Sequence, residues 1–194
     1  MTPERFNSSS ALYQHDLEKD ERQVAEWYNT LSSSYDELYG EEQSQKYETV
    51  LEFLGNRHFR IIIDIGCGTG TFLEKAHEIY DYAIGIDLST KMLQIARGKK
   101  TRNTDFVLAS SSSLPLKDKS ADCTVSISTA KAESNLPTFI ADLERISQQD
   151  SLLAVTIFQK PGMLTPFSLA TRARSTIISD RETLYLLRPA ETLK

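Results

Sequence analysis

A run of β-branched residues that leads into three closely spaced glycines most constrains the fold of this chain. Residues 61–65 read Ile-Ile-Ile-Asp-Ile, which is typical of a strand buried on both faces of a sheet. Glycines alternate with other residues over 66–70, so the backbone can turn sharply and approach a ligand closely. Thr71 and Glu74 have capping-box spacing, which predicts that a helix starts there with its free N–H groups directed toward the loop.

Hydrophobic patterns on both sides of this turn alternate between strands and helices. After a polar arm over residues 1–15, helices are expected from about residue 16 and over 42–54. Further strands are expected at 83–87, 105–109, 122–128 and 152–158, a helix at 164–174, and a closing hairpin at 175–179 and 183–187. The alternation predicts an α/β fold with a doubly wound, mostly parallel seven-stranded sheet, an antiparallel C-terminal hairpin and an N-terminal helical extension.

Size and charge limit the classes of protein to consider. The 194 residues suit a single domain over 1–194, with an N-terminal arm and helical lid at 1–55 and an α/β core at 56–194. The net charge of −5 gives no general attraction to nucleic acid or to an anionic membrane. Cys67 and Cys123 fall in expected core or ligand-loop positions, which favours a reduced, cytoplasmic protein. We expect no signal peptide and no membrane span.

An acidic residue after the second expected strand indicates the kind of ligand. Asp87 follows Gly66 by about 20 positions, the gap between a glycine turn and a ribose-binding acid in doubly wound folds. In such sheets, ligands bind beyond the carboxyl ends of the strands, where the strand order reverses. The sequence therefore predicts a ligand that contains a nucleoside.

The glycine spacing and Asp64 distinguish between two nucleoside ligands. A dinucleotide site has Gly-x-Gly-x-x-Gly, whereas the glycines here are one residue closer together. A carboxylate at Asp64 would also repel a pyrophosphate, but it suits a ligand that carries an ammonium group. S-adenosylmethionine has an ammonium, a sulfonium and a ribose but no phosphate, so the residue chemistry favours it over NAD.

Three segments carry a resemblance to a known family. Asp64–Gly70 reads Asp-Ile-Gly-Cys-Gly-Thr-Gly, 86–89 reads Ile-Asp-Leu-Ser, and 114–122 reads Leu-Pro-Leu-Lys-Asp-Lys-Ser-Ala-Asp. Together they resemble the motifs of class I S-adenosylmethionine-dependent methyltransferases, in particular the branch that includes quinone-biosynthesis C-methyltransferases. The resemblance runs from about residue 24 to 187, and Tyr28 and Tyr35 are similar to the family's aromatic lid motif.

The resemblance implies a set of cofactor-binding residues. The glycines would line the methionine part, Asp87 the ribose, and Leu88 and Met92 the surroundings of the adenine. The full expected set is Asp64, Gly66, Cys67, Gly68, Gly70, Asp87, Leu88, Met92, Ser110, Ser111, Ser128, Tyr28 and Tyr35. One departure concerns the loop after the third strand, where the family usually has Asp-Ala and this chain has Ser110-Ser111. A serine hydroxyl can accept a hydrogen bond there, but without the assistance of a charge.

The methyl acceptor is less defined than the cofactor. Residues 126–133 lack the Asn/Asp-Pro-Pro-Tyr signature of planar amino-nitrogen methylation, and no cysteine follows the fourth strand. A small molecule methylated on O, S, C or N is the favoured acceptor. A macromolecule-directed or partner-assisted subunit and a non-catalytic cofactor-binding protein remain open alternatives, as does a homodimer or partner chain that completes the site. Lys131 and Glu133 are weak candidates for a general base, and no metal-ligand spacing is present.

Overall fold

The computed structural model describes residues 20–99, 103–131, 136–158, 174–178 and 182–187. Within these ranges the helices are α1 (Glu21–Leu31), α2 (Tyr35–Leu54), α3 (Thr71–Lys75), α4 (Thr90–Gly98) and α5 (Leu136–Ile146), and a 3₁₀ turn at Ser32–Ser34 joins α1 to α2. The strands are β1 (Phe59–Ile65), β2 (Tyr80–Asp87), β3 (Thr104–Leu108), β4 (Ala121–Lys131), β5 (Ser147–Phe158), β6 (Arg174–Ile177) and β7 (Glu182–Leu187).

The strands form one sheet in the order β3-β2-β1-β4-β5-β7-β6. The pairs β1–β2, β1–β4, β2–β3 and β4–β5 are parallel, whereas β7 runs antiparallel to β5 and β6. The strand order reverses between β1 and β4, and Asp64 lies at this point, between Gly85 of β2 and Val125 of β4. The loops that follow these strands can therefore diverge and leave a crevice at the carboxyl edge of the sheet.

Hydrophobic residues cover both faces of the sheet, as the unbroken apolar run of β1 requires. Ile63 and Ile65 belong to a buried cluster with Leu143 of α5. Ile62 points the other way and belongs to a second cluster that includes Leu54 of α2 and residues of α3. Because alternate residues of a strand point to opposite faces, β1 contributes side chains to both clusters. This burial on both faces fixes the position of the glycine turn that follows.

The expected fold class is confirmed, but the second helix is longer than the sequence pattern indicated. Helix α2 begins at Tyr35 rather than near residue 42, and Gly40 lies within it. Asp36 and Glu37 occupy its first turn, where negative charge stabilises the helix dipole. Helix α1 begins with a capping box between Asp20 and Gln23, a signal that the hydrophobic pattern did not reveal.

The capping box expected at Thr71 and Glu74 is wrong. The N-cap of α3 is Gly70, in a left-handed conformation with φ of 77°, and no side chain caps this helix end. Thr71 Oγ1, the oxygen that would accept the capping bond, instead accepts a hydrogen bond from Lys99 Nζ at 2.7 Å. The arm at 1–15 lies outside the described residues, and so does the helix expected at 164–174, except that Arg174 begins β6.

Candidate functional site

The glycine turn after β1 is held by the neighbouring strand. The backbone N–H groups of Gly66 and Cys67 both donate to the carbonyl of Ile86, at 2.7 and 2.9 Å. Gly66 and Gly68 have φ values of 75° and 53°, which L-side chains rarely adopt. A Cβ on Gly66 would lie 2.0 Å from Thr129 Oγ1, whereas a Cβ on Gly68 would meet no atom within 4 Å. Gly66 is therefore needed for packing against the end of β4, and Gly68 leaves open space.

Asp87 ties this turn to the end of β2. Its Oδ2 accepts the N–H of Gly68 at 2.8 Å, and its Oδ1 accepts the N–H of Ser89 at 2.8 Å. Burial raises the pKa of Asp87, while the backbone N–H groups that point at the carboxylate lower it. Each carboxylate oxygen keeps a further lone pair for a ligand hydroxyl. Asp87 thus shapes the loop and also presents an acceptor at the carboxyl edge of the sheet.

Asp64 is a buried carboxylate with no partner among the described residues. It is 2% exposed, and no described side chain or N–H group forms a hydrogen bond or an ion pair with its carboxylate. Burial, followed by the negative charge of Asp87, raises the pKa of Asp64 to about 8. An acid in this position gains free energy from any cation brought near it. The geometry therefore favours a ligand with a positive group at the β1 end of the crevice.

Helices α1 and α2 are fastened over this edge by polar contacts. Asn29 Oδ1 accepts a hydrogen bond from Ser89 Oγ at 2.8 Å, which joins α1 to the N-terminus of α4. Asp36 accepts a hydrogen bond from Thr69 Oγ1 at 2.6 Å and forms an ion pair with Lys99. These bonds hold α1 against the N-terminus of α4 and α2 against the glycine turn, and a role as a lid stays a prediction.

Tyr28 and Tyr35 form an aromatic wall beneath these helices. Their ring centroids are 6.3 Å apart and the rings are tilted at 57°. Burial raises the pKa of the Tyr35 hydroxyl, and the negative charge of Asp87 adds to this effect. Electron-rich ring faces near two carboxylates suit a cationic ligand.

A cavity of about 450 Å³ lies between the lid helices and the carboxyl edge of the sheet. Ten of the thirteen expected cofactor-binding residues line it: Tyr28, Tyr35, Gly66, Gly68, Asp87, Leu88, Met92, Ser110, Ser111 and Ser128. The described lining residues include the carboxylates of Glu21, Asp87 and Asp142 but no lysine or arginine. A site of this composition accommodates a positive ligand better than a pyrophosphate.

The remaining three expected residues do not line the cavity. Asp64 is buried at the switch point, as described above. The sulfur of Cys67 packs against Gly85 in β2, since a Cβ there would lie 2.8 Å from it. Gly70 packs against Ala96 of α4, whose Cβ would be 3.0 Å from a Cβ on the glycine. For these residues a direct role in ligand binding stays a prediction, and their visible role is to shape the turn.

Some lining residues were not singled out from the sequence. They are Glu21 and Val24 of α1, Ile86 of β2, Ala109 and Ser112 after β3, Ile127, Thr129 and Ala130 near the end of β4, and Thr138, Phe139 and Asp142 of α5. The first two lie on a helix that the pattern predicted, but nothing in that pattern indicates which of its residues face a cavity. The side chain of Lys131 and the whole of Glu133, the weak candidates for a general base, lie outside the described residues.

Ser128 connects the cavity to a buried ionic network. Its Oγ donates to Glu182 Oε1 at 3.0 Å and accepts from Lys46 Nζ at 3.1 Å. Lys46 also forms an ion pair of 2.7 Å with Glu182, and both side chains are almost completely buried. Ser128 has a φ of 57°, and the pairing of β4 with β5 shifts register between Ser126 and Ala130. This side chain is held in one position by groups from α2 and β7.

Neither a metal-binding cluster nor a membrane-spanning helix occurs in the described residues. No group of three or more His, Cys, Asp or Glu side chains among them could hold a metal ion. Across the same part of the chain, none of the helices is long and apolar enough to cross a membrane.

Comparison with known proteins places this site in context. A family described as a methyltransferase domain matches residues 63–155, which include the glycine turn, Asp87 and the serine loop. An uncharacterised protein of Methanocaldococcus jannaschii is 31% identical over 152 residues, covering 78% of this chain and 57% of the relative. Demethylmenaquinone methyltransferase of Tropheryma whipplei is 27% identical over 165 residues, covering 77% of this chain and 65% of the relative. The chain thus spans less than two thirds of the length of either relative.

Solved structures share the fold at low sequence identity. A SAM-dependent methyltransferase from Aquifex aeolicus superposes with a TM-score of 0.62 at 18% identity, covering 89% of this chain and all of that structure. A methyltransferase of Haloferax volcanii, solved in complex with the Trm112 methyltransferase activator, superposes with a TM-score of 0.60 at 18% identity, covering 67% of this chain and 59% of that one. Residues 63–155 thus match a methyltransferase domain, and the motifs and the sheet order of the chain resemble those of class I S-adenosylmethionine-dependent methyltransferases.

Proposed function

We propose that this chain catalyses methyl transfer from S-adenosylmethionine to a small-molecule acceptor. The observation that carries the proposal is the unpartnered, buried carboxylate of Asp64 beside the glycine turn. A carboxylate with a pKa raised to about 8 is costly to ionise when free, and a ligand ammonium group offsets that cost. A dinucleotide would instead bring a pyrophosphate, for which the described cavity residues offer no lysine or arginine.

The residues of the cavity, together with the buried Asp64 beside the glycine turn, fit the three parts of this cofactor. Asp64 and the glycine turn suit an aminoacyl group, because Gly68 leaves room for close approach and Asp64 provides the counter-charge. Asp87 has free lone pairs for the ribose hydroxyls. The apolar side chains of Leu88 and Met92 supply the flat surroundings that a purine base needs. When bound, the cofactor supplies a methyl group on a positively charged sulfur.

The protein's own contribution to such a reaction is mostly positioning. Methyl transfer is an in-line displacement, so holding the acceptor in line lowers the barrier even without a base. The lid helices, expected to belong to an N-terminal segment 1–55 over the core at 56–194, would exclude water above Tyr28 and Tyr35. A base is required only when the acceptor atom carries a proton. On the acceptor side, Ser128 and Asp142 are polar lining residues that can orient such a group.

Calorimetric titration tests the cofactor assignment. The full chain is titrated separately with S-adenosylmethionine, S-adenosylhomocysteine and NAD. Saturable binding of the first two without binding of NAD is expected, and binding of NAD alone would refute the proposal. As a matched pair of variants, Asp64→Asn should weaken binding, whereas Asp81→Asn, at an exposed position, should not.

Transfer of a labelled methyl group tests the acceptor class. The protein is incubated with methyl-labelled cofactor and, separately, with small-metabolite, protein and RNA fractions of a cell extract. Label in the metabolite fraction is expected. Label in protein or RNA would overturn the small-molecule assignment, and cofactor binding without transfer to any fraction would indicate a non-catalytic protein.

A second candidate is favoured by the Haloferax volcanii structure, in which a methyltransferase of the same fold is bound to an activator protein. In that alternative, this chain would be a subunit that needs a partner chain for full activity. Label transfer by the purified chain alone would exclude this requirement. Transfer that appears only after a protein fraction is added, together with a larger complex on a sizing column, would support it.

A further inference from the structure

A carboxylate of the lid meets the serine loop that follows β3. Glu21, in the first turn of α1, accepts hydrogen bonds through Oε1 from the hydroxyls of both Ser110 and Ser112, with 2.5 Å to Ser110 Oγ. The backbone N–H of Ser112 in turn donates to Ser110 Oγ at 3.0 Å. The other oxygen of Glu21, Oε2, has no hydrogen-bond partner within the described parts of the chain. Glu21 lines the cavity, so a free acceptor is available there.

The position of this acceptor follows from the order of the strands. The glycine turn follows β1, Asp87 ends β2, and the serine loop follows β3, so the three groups succeed each other along one edge of the sheet. In a nucleoside ligand the ribose lies between the base and the 5′ substituent. A ribose at Asp87 with its 5′ substituent at the glycine turn therefore directs its base toward the loop after β3.

The walls of the cavity in this region suit a base. Leu88, Met92 and Ala109 provide apolar surface, and Glu21 adds a carboxylate to the lining. Apolar walls of this kind stack against a flat ring, while the polar group recognises only the edge of the ring. Helix α1 is held in register by Asn29, which accepts a hydrogen bond from the backbone N–H of Lys91 at 3.0 Å. The carboxylate is therefore carried by an element that is anchored to α4.

The edge formed by Glu21, Ser110 and Ser112 offers acceptors rather than donors. Both serine hydroxyls use their protons on Glu21, and those hydrogen bonds lower the pKa of the Glu21 carboxyl. An ionised carboxylate only accepts hydrogen bonds. It therefore attracts a base edge that carries an exocyclic amino group and disfavours one that carries a carbonyl oxygen.

We propose that Glu21 accepts a hydrogen bond from the exocyclic amino group of the adenine, so that α1 supplies a carboxylate to the part of the cavity that holds the base. Ser110 and Ser112 act as positioning residues that hold Glu21 toward the base. This inference rests on the proposed cofactor, and it makes the lid part of the nucleoside site. Binding of the base then also holds α1 closed over the cavity.

The test compares two ligands that differ in one group of the base. S-adenosylhomocysteine carries a 6-amino group, and S-inosylhomocysteine carries a 6-oxo group. Calorimetry on the full chain should show that the amino ligand binds about 10- to 100-fold more tightly, as expected when a charged acceptor faces a carbonyl oxygen. Equal affinities of the unmodified protein would overturn the role of Glu21 without any variant.

Variants then test whether Glu21 causes the difference in affinity between the 6-amino and the 6-oxo ligand. Glu21→Gln can also donate a hydrogen bond, so it should bind the amino ligand about 10-fold less tightly and the oxo ligand more tightly. The control is Glu26→Gln on the same helix, an exposed residue that pairs with Arg22 and does not line the cavity. Unchanged discrimination in Glu21→Gln would refute this inference while leaving the proposed function intact. Binding of neither ligand by the unmodified protein would refute the proposed function itself.

Discussion

The two halves of the cavity differ in how far apart in sequence the residues that form them lie. The half at the ends of β1 and β2 is formed by the glycine turn and Asp87, with the buried Asp64 just before the turn in sequence, all within residues 64–87. The half at the end of β4 depends on side chains that are far apart in sequence, because Lys46 of α2 and Glu182 of β7 hold Ser128 in place. The first half is defined by backbone geometry and the second by a buried network. A local motif can therefore identify a cofactor site while leaving the acceptor site undetermined.

The largest effect is expected from breaking the network. Lys46→Met leaves Glu182 buried without a countercharge, so the free energy of unfolding should fall by about 3–5 kcal/mol. Urea denaturation at neutral pH measures this value. Arg22→Met, which removes an exposed ion pair with Glu26, is the control and should cost at most about 1 kcal/mol.

A double substitution sharpens the same comparison. Lys46→Met combined with Glu182→Gln removes both charges and should recover part of the lost stability, because the desolvation cost of the carboxylate is removed as well. A loss below about 1 kcal/mol in the single variant would mean that water reaches Glu182, and the difference between the two halves would disappear.

The sequence predicted the β1–β2 half of the site and the sheet because their signals are local. Strand periodicity, the glycine spacing and the distance from Gly66 to Asp87 can all be identified within short windows. The ionic network has no such signal, since Lys46 reads as an ordinary residue of an amphipathic helix. Glu182 lies at the start of a strand, where nothing in the pattern predicts that its side chain is buried. Only tertiary packing brings these two residues together.

Local signals also failed where tertiary contacts compete with them. Thr71 and Glu74 fit a capping box, but Thr71 Oγ1 is engaged by Lys99, which approaches from α4. The role of Glu21 has a similar origin, because the sequence predicts both its helix and the serine loop but not the contact between them. The chemistry of individual side chains could be predicted, whereas their partners could not.

In the β1–β2 half, Asp87→Ala should weaken the binding of S-adenosylhomocysteine by about 2–4 kcal/mol, because two charge-assisted hydrogen bonds to the ribose are lost. Calorimetry measures this change. The variant also removes the acceptor for the N–H groups of Gly68 and Ser89, so its unfolding free energy is measured in parallel. Asp87→Asn keeps an acceptor oxygen, so its affinity for S-adenosylhomocysteine should lie between that of the unmodified protein and that of the alanine variant. Unchanged affinity in the alanine variant would show that the ribose is held elsewhere.

The glycines of the turn should differ in what they tolerate. Gly68→Ala should cost about 1–2 kcal/mol of unfolding free energy, since its φ of 53° is left-handed but its surroundings are empty. Gly66→Ala should cost more, because its Cβ would lie 2.0 Å from Thr129 Oγ1. Adding Thr129→Ala to Gly66→Ala should recover part of the difference. If urea denaturation shows the same loss of unfolding free energy for Gly66→Ala and Gly68→Ala, the turn adjusts freely to the end of β4.

A change of stability with pH is also expected, and it arises from Asp64. Its pKa is raised to about 8 in the folded protein, from an ordinary value of 3.8, so the folded state holds a proton that the unfolded chain releases. Between about pH 4 and 8 the free energy of unfolding should therefore fall as pH rises, by at most about 1.4 kcal/mol per pH unit from this residue. Urea denaturation across this range should show a shallower slope in Asp64→Asn.

Ligand addition connects this pH effect to the proposed cofactor. A ligand ammonium group near Asp64 favours the ionised carboxylate and lowers its pKa, so saturating S-adenosylhomocysteine should flatten the slope of the unmodified protein. The Asp64→Asn variant should show no such flattening. If the ligand binds but leaves the slope of the unmodified protein unchanged, Asp64 does not face its ammonium group. The carboxylate would then serve the glycine turn alone, and the two halves of the cavity would differ less than the geometry indicates.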